Sequence, residues 1–253
     1  MSVFRPISVA GFTSTGCVRK FNEDRASVDG FRLVTDNAFA TSFVNDQNLL
    51  LIADGMGGHA RGDIASDLAL TFLERHKADL LQPDRRIDVI RNANRSIFAA
   101  GLSNPQWLGM GATVVGALVS SQSASWFNLG DSRAYLFRDH RLQQLSQDHV
   151  PSYATGAGRK RSHAVSQSLG GTRYPTDVWP ALGSLEMRIG DRLLLCSDGL
   201  TDVVEDREIG VQLDSSADAS SSVEQLVIKC LSRGAPDNVT ILLAIWGKRT
   251  EDI

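Results

Sequence analysis

Aspartates at the ends of short apolar runs are the feature of this sequence that most limits its fold. Asp54, Asp131 and Asp198 each follow such a run, and Asp237 precedes one. Short apolar runs bounded by glycine-containing turns are typical of buried strands. A carboxylate at the end of a buried strand is partly removed from water and needs a partner. If several such strand ends meet at one edge, a divalent cation is the natural partner. Carboxylates without Cys or His beside them favour Mg or Mn over Zn.

The size and composition of the chain exclude several classes of protein. With 253 residues and 42% hydrophobic content, it can form one substantial core or at most two small domains. A net charge of -3 gives no basic field that would attract nucleic acid or a membrane surface. No apolar stretch reaches the roughly 18 residues of a membrane-spanning helix, and residues 1–12 lack the apolar core of a secretory signal. We therefore expect a cytoplasmic protein.

The three cysteines, Cys17, Cys196 and Cys230, are widely spaced and form no CxxC pair. They predict neither a zinc site nor a disulfide framework. Cys196 lies in an apolar run, which favours a small core residue over a catalytic nucleophile.

Hydrophobic patterns predict strands, then two long helices, a run of strands, two more helices and a final strand. The predicted strands are 7–12, 26–35, 48–53, 111–119, 124–129, 133–138, 142–145, 192–197 and 238–246, and the predicted helices are 63–81, 84–100, 206–213 and 222–233. Grouped helices favour an α+β layered fold over strict βαβ alternation. Short turns between the strands of 111–138 predict antiparallel neighbours. Residues 151–161 are small, basic and glycine-rich, which predicts a mobile surface segment.

The turn that opens at Asp54 contains three glycines. Gly55, Gly57 and Gly58 carry no side chains, so backbone carbonyls could approach a metal ion closely. A purely structural turn is the alternative. A phosphate cradle at the start of the next helix is another, although neither a Walker pattern nor a GxGxxG fingerprint is in place.

The other acidic turns are ordinary when taken singly, because an aspartate in a strand-end turn often only caps that turn. Asp237 is more informative. In an antiparallel sheet the start of one strand lies beside the end of its neighbour, which puts Asp237 at the same edge as Asp198 or Asp54. Arg19, followed by Glu23 and Asp24, suits phosphate and metal or water contacts, with a solvated polar loop as the alternative.

Six short motifs in order resemble those of the PPM/PP2C-type protein serine/threonine phosphatases, and the compact bacterial members most of all. They are RKFNED at 19–24, DGMGGH at 54–59, GMGAT at 109–113, GDSR at 130–133, CSDGL at 196–200 and PDNVT at 236–240. The resemblance spans about residues 7–246. It implies an α-β-β-α sandwich, in which two antiparallel sheets are flanked by helix pairs. It also implies that residues 1–253 form a single catalytic domain, with a short flap at about 149–168.

The resemblance further implies a centre of two Mn²⁺ or Mg²⁺ ions. Asp54 would bridge the two ions, and the Gly55 carbonyl would bind one of them. Asp198 and Asp237 would complete the shell of the other ion. Asp131 with Asp198 would hold a third, weaker ion.

The remaining motif residues would act on water and substrate. Asp24, and with it Glu23, would orient metal-bound waters, and Arg19 would clamp the substrate phosphate. A hydroxide formed between the ions would attack phosphorus in line, without a phosphoenzyme. His59 is a candidate proton donor to the leaving oxygen, with water as the alternative.

The flap departs from the family pattern because it is short and basic. We hypothesise that Arg159, Lys160 and Arg161 recruit acidic phosphopeptides, with incidental solvated charges as the alternative. The expected partners are phosphorylated proteins and a cognate Ser/Thr kinase, and we expect a monomer that binds neither nucleic acid nor membrane.

Two other classes of protein compete with this interpretation. A catalytically dead domain that only binds phosphoproteins would be expected to lack a metal carboxylate, whereas Asp54, Asp198 and Asp237 are all present. An α/β phosphotransferase would need a DxD nucleophile motif or a P-loop after a strand, and the sequence contains neither in that position.

Overall fold

The computed structural model describes residues 6–43, 47–56, 61–155, 158–161 and 164–247, with the backbone alone at 42–43, 152–155 and 158–161. The strands are β1 Ile7–Ser14, β2 Arg25–Val28, β3 Phe31–Arg32, β4 Phe39–Phe43, β5 Asn48–Ala53, β6 Gly55–Met56, β7 Gly111–Ala112, β8 Val114–Val119, β9 Ser123–Leu129, β10 Arg133–Arg138, β11 Arg141–Gln144, β12 Ser152–Thr155, β13 Gly158–Arg161, β14 Leu169–Gly170, β15 Ala181–Glu186, β16 Arg192–Cys196 and β17 Val239–Trp246. The α-helices are α1 Gly62–Arg75, α2 Lys77–Leu80, α3 Arg86–Ser103, α4 Asp198–Thr201, α5 Asp206–Ser215 and α6 Ala219–Ser232. Single 3-10 turns occupy Pro83–Arg85 and Pro105–Trp107.

Two six-stranded antiparallel sheets form the centre of the described chain. Their strand orders are β11-β10-β16-β17-β1-β4 and β15-β9-β8-β5-β2-β3. Alternate side chains of β5 point to opposite faces, as strand geometry requires. Leu49 and Leu51 pack toward helices, whereas Leu50 and Ile52 pack between the two sheets. A continuous apolar run is therefore buried on both faces.

Helices cover the outer face of each sheet. Leu70 of α1 and Ile90 of α3 join the apolar layer on the β5 side. Leu213 of α5 and Leu226 of α6 join the layer on the β17 side. The predicted α-β-β-α sandwich is confirmed.

The helix predicted over 63–81 is interrupted at His76. Its backbone leaves the helical conformation, and its Nδ1 lies 2.8 Å from the Phe72 carbonyl oxygen. The His76 ring also stacks on the Phe72 ring, with centroids 4.1 Å apart. The side chain thus competes with the backbone for a helix carbonyl, so α1 ends at Arg75 and α2 continues separately.

The expectation that 124–129 and 133–138 are paired neighbours is wrong. β9 belongs to one sheet and β10 to the other, so the chain crosses the sandwich between them. Gly130 makes this possible with a φ of +114°, and a Cβ there would lie 2.5 Å from the Thr113 Cβ. The crossing leaves Asp131 at the end of the sandwich.

Several elements have no counterpart in the sequence prediction. β12 and β13, within the segment expected to be mobile, pair as an antiparallel hairpin. The short strands β6 and β14 pair with β7, the first part of the predicted strand 111–119, and the three form a small separate sheet. No helix in the described part of the chain is long and apolar enough to span a membrane.

Candidate metal centre

A cleft of about 850 Å³ at one end of the sandwich brings most of the predicted site residues together. It is lined by Val18, Arg19, Glu23, Asp54, Gly55, Met56, Gly109, Thr113, Asp131, Ala164, Val165, Gly171, Asp198, Asp202, Pro236, Asp237 and Asn238. Asp24 is buried and hydrogen-bonded to Ser197, which directly follows β16, and to Thr240 of β17 rather than lining the cleft. His59, Gly57 and Gly58 lie outside the described residues, as do the side chains of Arg159, Lys160 and Arg161.

The Asp54 turn is held by close backbone contacts. The Asp54 carbonyl accepts a hydrogen bond from the Thr113 backbone N–H at 2.9 Å. A Cβ on Gly55 would lie 2.3 Å from the Gly62 carbonyl oxygen, and one on Gly62 would lie 2.6 Å from the Gly55 carbonyl carbon. The glycines therefore let the start of α1 pack directly on the strand end that carries Asp54.

Asp198 and Asp237 are neighbours because β16 and β17 are antiparallel. Cys196 pairs with Ile241, so the residues after β16 lie beside those before β17. A Cβ on Gly199 would lie 1.9 Å from the Asn238 carbonyl oxygen. The two turns are thus packed backbone against backbone, at the shared edge that the sequence indicates.

Asn238, which the sequence analysis did not single out, joins the Arg19 loop to the β17 turn. Its Nδ2 donates to the carbonyls of Thr15 and Phe21, each at 3.0 Å. Its Oδ1 accepts from the Glu23 backbone N–H at 2.8 Å. The side chain is buried, and these three bonds fix the loop that carries Arg19 and Glu23 against the turn that carries Asp237.

The carboxyls of the centre are hard to ionise together. Burial raises the pKa of Asp54 well above its usual value, and the charges of Asp24, Asp198 and Asp131 add to the rise. Burial, with Asp131 and Asp202 nearby, raises the pKa of Asp198 to about 8. Burial also raises the pKa of Asp131 to about 6. Such crowding favours either bound protons or a bound cation.

Glu23 experiences a milder form of the same effect. Its pKa is raised by burial and by the nearby charge of Asp63, while Arg19 opposes the rise. Its position in the cleft wall keeps it within the group of acidic side chains.

One carboxylate oxygen of Asp24 accepts two hydrogen bonds, and the other accepts none from the described residues. Oδ2 accepts from the Ser197 hydroxyl at 2.8 Å and from the Thr240 hydroxyl at 2.6 Å. Oδ1 is buried without a hydrogen-bond partner among the described residues. Burial and the charge of Asp237 raise the Asp24 pKa to about 6, while its two hydroxyl donors and the neighbouring Asp54 carboxyl lower it. An orphaned buried carboxylate oxygen in this position is suited to a cation or to a water bound to one.

These residues fit hard divalent cations. The donor set is made of carboxylate oxygens and backbone carbonyls, which suits Mg²⁺ or Mn²⁺. Within the described residues, no three Asp, Glu, His or Cys side chains surround one point closely enough to complete a site by themselves. A cation bound here would therefore need waters as further ligands, as Mg²⁺ commonly has when one or two carboxylates bind it directly.

Comparisons with known proteins agree with the geometry. The protein phosphatase 2C family profile matches residues 32–239. The serine/threonine phosphatase stp of Listeria monocytogenes is 32% identical over 253 residues, covering 91% of this chain and 92% of its own. A crystal structure of the Mycobacterium tuberculosis serine/threonine phosphatase PstP superposes with a TM-score of 0.77 at 31% identity, covering 96% of this chain and all of the other. The PstP catalytic domain in complex with two manganese ions superposes with a TM-score of 0.75 at 32% identity and the same coverage.

Proposed function

Since the chain belongs to the protein phosphatase 2C family of serine/threonine phosphatases, we propose that it hydrolyses phosphoserine and phosphothreonine in proteins by direct attack of water at a two-ion centre. The observation that carries the proposal is the acidic cleft, in which Asp54, Asp131, Asp198 and Asp237 meet beside Arg19. The raised pKa values of Asp54, Asp131 and Asp198 support a site made for cations.

Each carboxylate has a defined task in this proposal. Asp54, with the Gly55 carbonyl, Asp198 and Asp237, would hold two Mn²⁺ or Mg²⁺ ions. Asp131 would share a third ion with Asp198. When bound, the ions would supply a water acidic enough to attack phosphorus near neutral pH.

The rest of the chemistry falls to side chains of the cleft. Arg19 would hold the phosphoryl oxygens through its planar guanidinium, which suits bidentate contacts. Asp24 and Glu23 would orient waters between the acidic residues. His59, outside the described residues, stays a candidate proton donor to the leaving serine or threonine oxygen. Neither Cys196 nor another cysteine is needed as a nucleophile.

The biological setting is proposed on the same basis. We expect one catalytic domain over residues 1–253, acting on phosphorylated proteins and opposing a Ser/Thr kinase in the cytoplasm. The short basic flap would favour acidic phosphopeptides. Replacing Arg159, Lys160 and Arg161 by alanine would then raise KM for a phosphoprotein and leave KM for a small aryl phosphate unchanged.

The proposal is tested by phosphatase assays with and without Mn²⁺. Wild-type protein should release phosphate from a phosphothreonine peptide and from para-nitrophenyl phosphate only when Mn²⁺ or Mg²⁺ is supplied. Asp54→Asn should lower kcat/KM by at least about a hundredfold, because a carboxylate that would hold the ions is lost. Asp214→Asn is the matched control, since Asp214 pairs with His140 far from the cleft lining. Activity that survives a chelator, or survives Asp54→Asn, would contradict the proposal.

A further inference from the structure

A chain of hydrogen bonds leaves the backbone of Asp24 and returns to its carboxylate. The Asp24 N–H donates to Asn22 Oδ1 at 3.1 Å, and Asn22 Nδ2 donates to Thr13 Oγ1 at 2.8 Å. The Thr13 and Thr240 hydroxyl oxygens are 2.8 Å apart. The Thr240 hydroxyl donates in turn to Asp24 Oδ2 at 2.6 Å. We call these four residues the hydroxyl relay.

The direction of every bond in the hydroxyl relay follows from the chemistry of its groups. A backbone N–H can only donate, so the Asn22 atom that accepts from Asp24 is the amide oxygen and its nitrogen must face Thr13. An amide nitrogen can only donate, so Thr13 accepts from it. A carboxylate oxygen can only accept, so the single proton of Thr240 goes to Asp24. The Thr240 oxygen then accepts from Thr13, whose one proton completes the bond between the two hydroxyls.

A second donor reaches the same carboxylate oxygen by an independent route. The Thr240 backbone N–H donates to Ser197 Oγ at 3.0 Å, so the Ser197 hydroxyl proton is free to donate elsewhere. Ser197 Oγ lies 2.8 Å from Asp24 Oδ2 and donates this proton to it. Two donors of fixed direction thus saturate Oδ2, while Oδ1 is buried with no partner in the described part of the chain.

The unpaired oxygen belongs to a carboxyl that lies close to Asp54. After burial, the charge of Asp24 is the largest cause of the raised Asp54 pKa, so the two carboxyls are neighbours. Asp54 also lines the cleft, whereas Asp24 is only 2% exposed. The geometry therefore separates the two Asp24 oxygens. Oδ2 is bonded to Ser197 and Thr240, and Oδ1 is left for the centre.

We propose that Thr240 and Ser197 are positioning residues that anchor Asp24 Oδ2 so that Oδ1 is presented to the cations of the centre or to their waters. Thr13 and Asn22 act one step further away, because they prevent the Thr240 hydroxyl from turning toward Thr13. The inference rests on the proposed function for the presence of cations. It adds residues for which the family resemblance implies no role.

Isosteric variants separate a positioning role from simple packing. Thr240→Val keeps the shape of the side chain and removes the donor, whereas Thr240→Ser keeps the donor and removes a methyl group. Ser197→Ala removes the second donor. Ser27→Ala is the matched control, because the Ser27 hydroxyl is equally buried, lies on β2 three residues from Asp24, and has no partner among the described residues.

The measurement is Mn²⁺ affinity by isothermal titration calorimetry on metal-stripped protein, without substrate. Thr240→Val and Ser197→Ala should each weaken Mn²⁺ binding about tenfold, as removal of a partner behind a metal site commonly does. Thr240→Ser and Ser27→Ala should bind like wild type. Thr13→Val should have a smaller effect than Thr240→Val, because Thr240 still has Asp24 as its acceptor.

Two results would overturn the inference. Folded Thr240→Val and Ser197→Ala proteins that bind Mn²⁺ as tightly as Ser27→Ala would show that the donors do not matter. If Thr240→Ser binds Mn²⁺ as weakly as Thr240→Val does, the loss of affinity comes from the missing methyl group and not from the missing donor. If Thr240→Val does not fold, Ser197→Ala decides, because it removes a single oxygen.

The same titrations distinguish this inference from the proposed function. Wild-type protein that binds Mn²⁺ but hydrolyses no phosphopeptide would contradict the function and leave the positioning role of Thr240 and Ser197 measurable. Wild-type protein that binds no Mn²⁺ would overturn the inference as well.

Discussion

Arg19 Nη2 donates to Asp237 Oδ2 at 2.6 Å, which joins the loop before β2 to the turn before β17. This bond and the charge of Asp237 raise the pKa of Arg19 above its usual value. The Arg19 side chain is 53% exposed, so the pair lies at the mouth of the cleft. The guanidinium therefore binds Asp237, a predicted metal ligand, and lies where we expect the substrate phosphate to bind.

Arg19→Ala should separate these two roles. We expect KM for para-nitrophenyl phosphate, and Ki for inorganic phosphate, to rise about tenfold, or about 1.4 kcal/mol, because a charged hydrogen-bond donor to phosphate is lost. Mn²⁺ affinity should not fall, because Asp237 loses a competing cation. Steady-state kinetics with calorimetry would check both. Lys20→Ala, which removes the neighbouring positive charge, is the control, and a matching loss of Mn²⁺ affinity in Arg19→Ala would contradict the assignment.

Stabilisation by Mn²⁺ should grow with pH. Burial raises the pKa of Asp131 to about 6 and that of Asp198 to about 8, from ordinary values of 3.8. Carboxyls with raised pKa values stabilise the metal-free fold while protonated, and that stability is lost as the pH rises from their ordinary value of 3.8 to about 6 for Asp131 and about 8 for Asp198. A cation favours the ionised form and reverses the loss. The melting temperature of metal-free protein should therefore fall over this window, and the rise caused by Mn²⁺ should be larger at its alkaline end.

Asp198→Asn is the informative variant for this pH dependence, because an amide does not titrate. Its metal-free melting temperature should change less with pH than that of wild type, measured by differential scanning fluorimetry. A Mn²⁺-induced shift that is largest at the acidic end of the window would be incompatible with the carboxylate assignment.

Local sequence patterns were enough to predict many of the strands and the sheet edge at which the aspartates lie. The run Asn48–Ala53 predicts a buried strand, and β5 has those bounds. The antiparallel rule predicts that Asp237 shares an edge with Asp198 or Asp54, and the register of β16 with β17 puts it beside Asp198. Both predictions need only chain-local patterns and one pairing rule.

The hydrogen bonds that hold Asp24 behind that edge could not be predicted from local patterns. Ser197 and Thr240 bond to Asp24 across 173 and 216 positions of sequence. Nothing in the residues beside them marks them as its partners. The crossing between sheets at Gly130 was missed for a related reason, because a short turn between two strands predicts pairing unless the tertiary packing separates them.

Gly199→Ala should damage both fold and centre. A Cβ at this position would lie 1.9 Å from the Asn238 carbonyl oxygen, which is backbone and cannot rotate away. We expect a loss of about 2 to 3 kcal/mol in the free energy of unfolding, as for overpacked cores, together with weaker Mn²⁺ binding because Asp198 is displaced. Urea unfolding and calorimetry would measure these.

Gly210→Ala is the control for that substitution. Gly210 lies within α5, and a Cβ there would meet only the Leu142 Cβ, at 3.4 Å. An alanine should therefore be neutral or stabilise the helix by up to about 1 kcal/mol. If Gly199→Ala proved as benign as Gly210→Ala, the backbone contact with Asn238 would not be what fixes the two turns.

The buried ion pair of Arg133 with Asp148 should be costly to break from one side. Arg133 Nε and Nη2 donate to the two carboxylate oxygens at 3.1 and 2.9 Å, and the side chains are 7% and 6% exposed. Asp148→Asn should lower the free energy of unfolding by about 3 kcal/mol, because it removes the buried counter-charge of the guanidinium and leaves only the exposed carboxylate of Asp206, 3.6 Å from Arg133 Nη1. Arg133→Met combined with Asp148→Asn should recover part of that loss, since no uncompensated charge remains. Urea titrations of the metal-free proteins measure both free energies of unfolding. A double variant that is less stable than Asp148→Asn alone would contradict this expectation. It would mean that Arg133 stabilises the fold mainly through its hydrogen bond to the Tyr135 hydroxyl, 2.8 Å away.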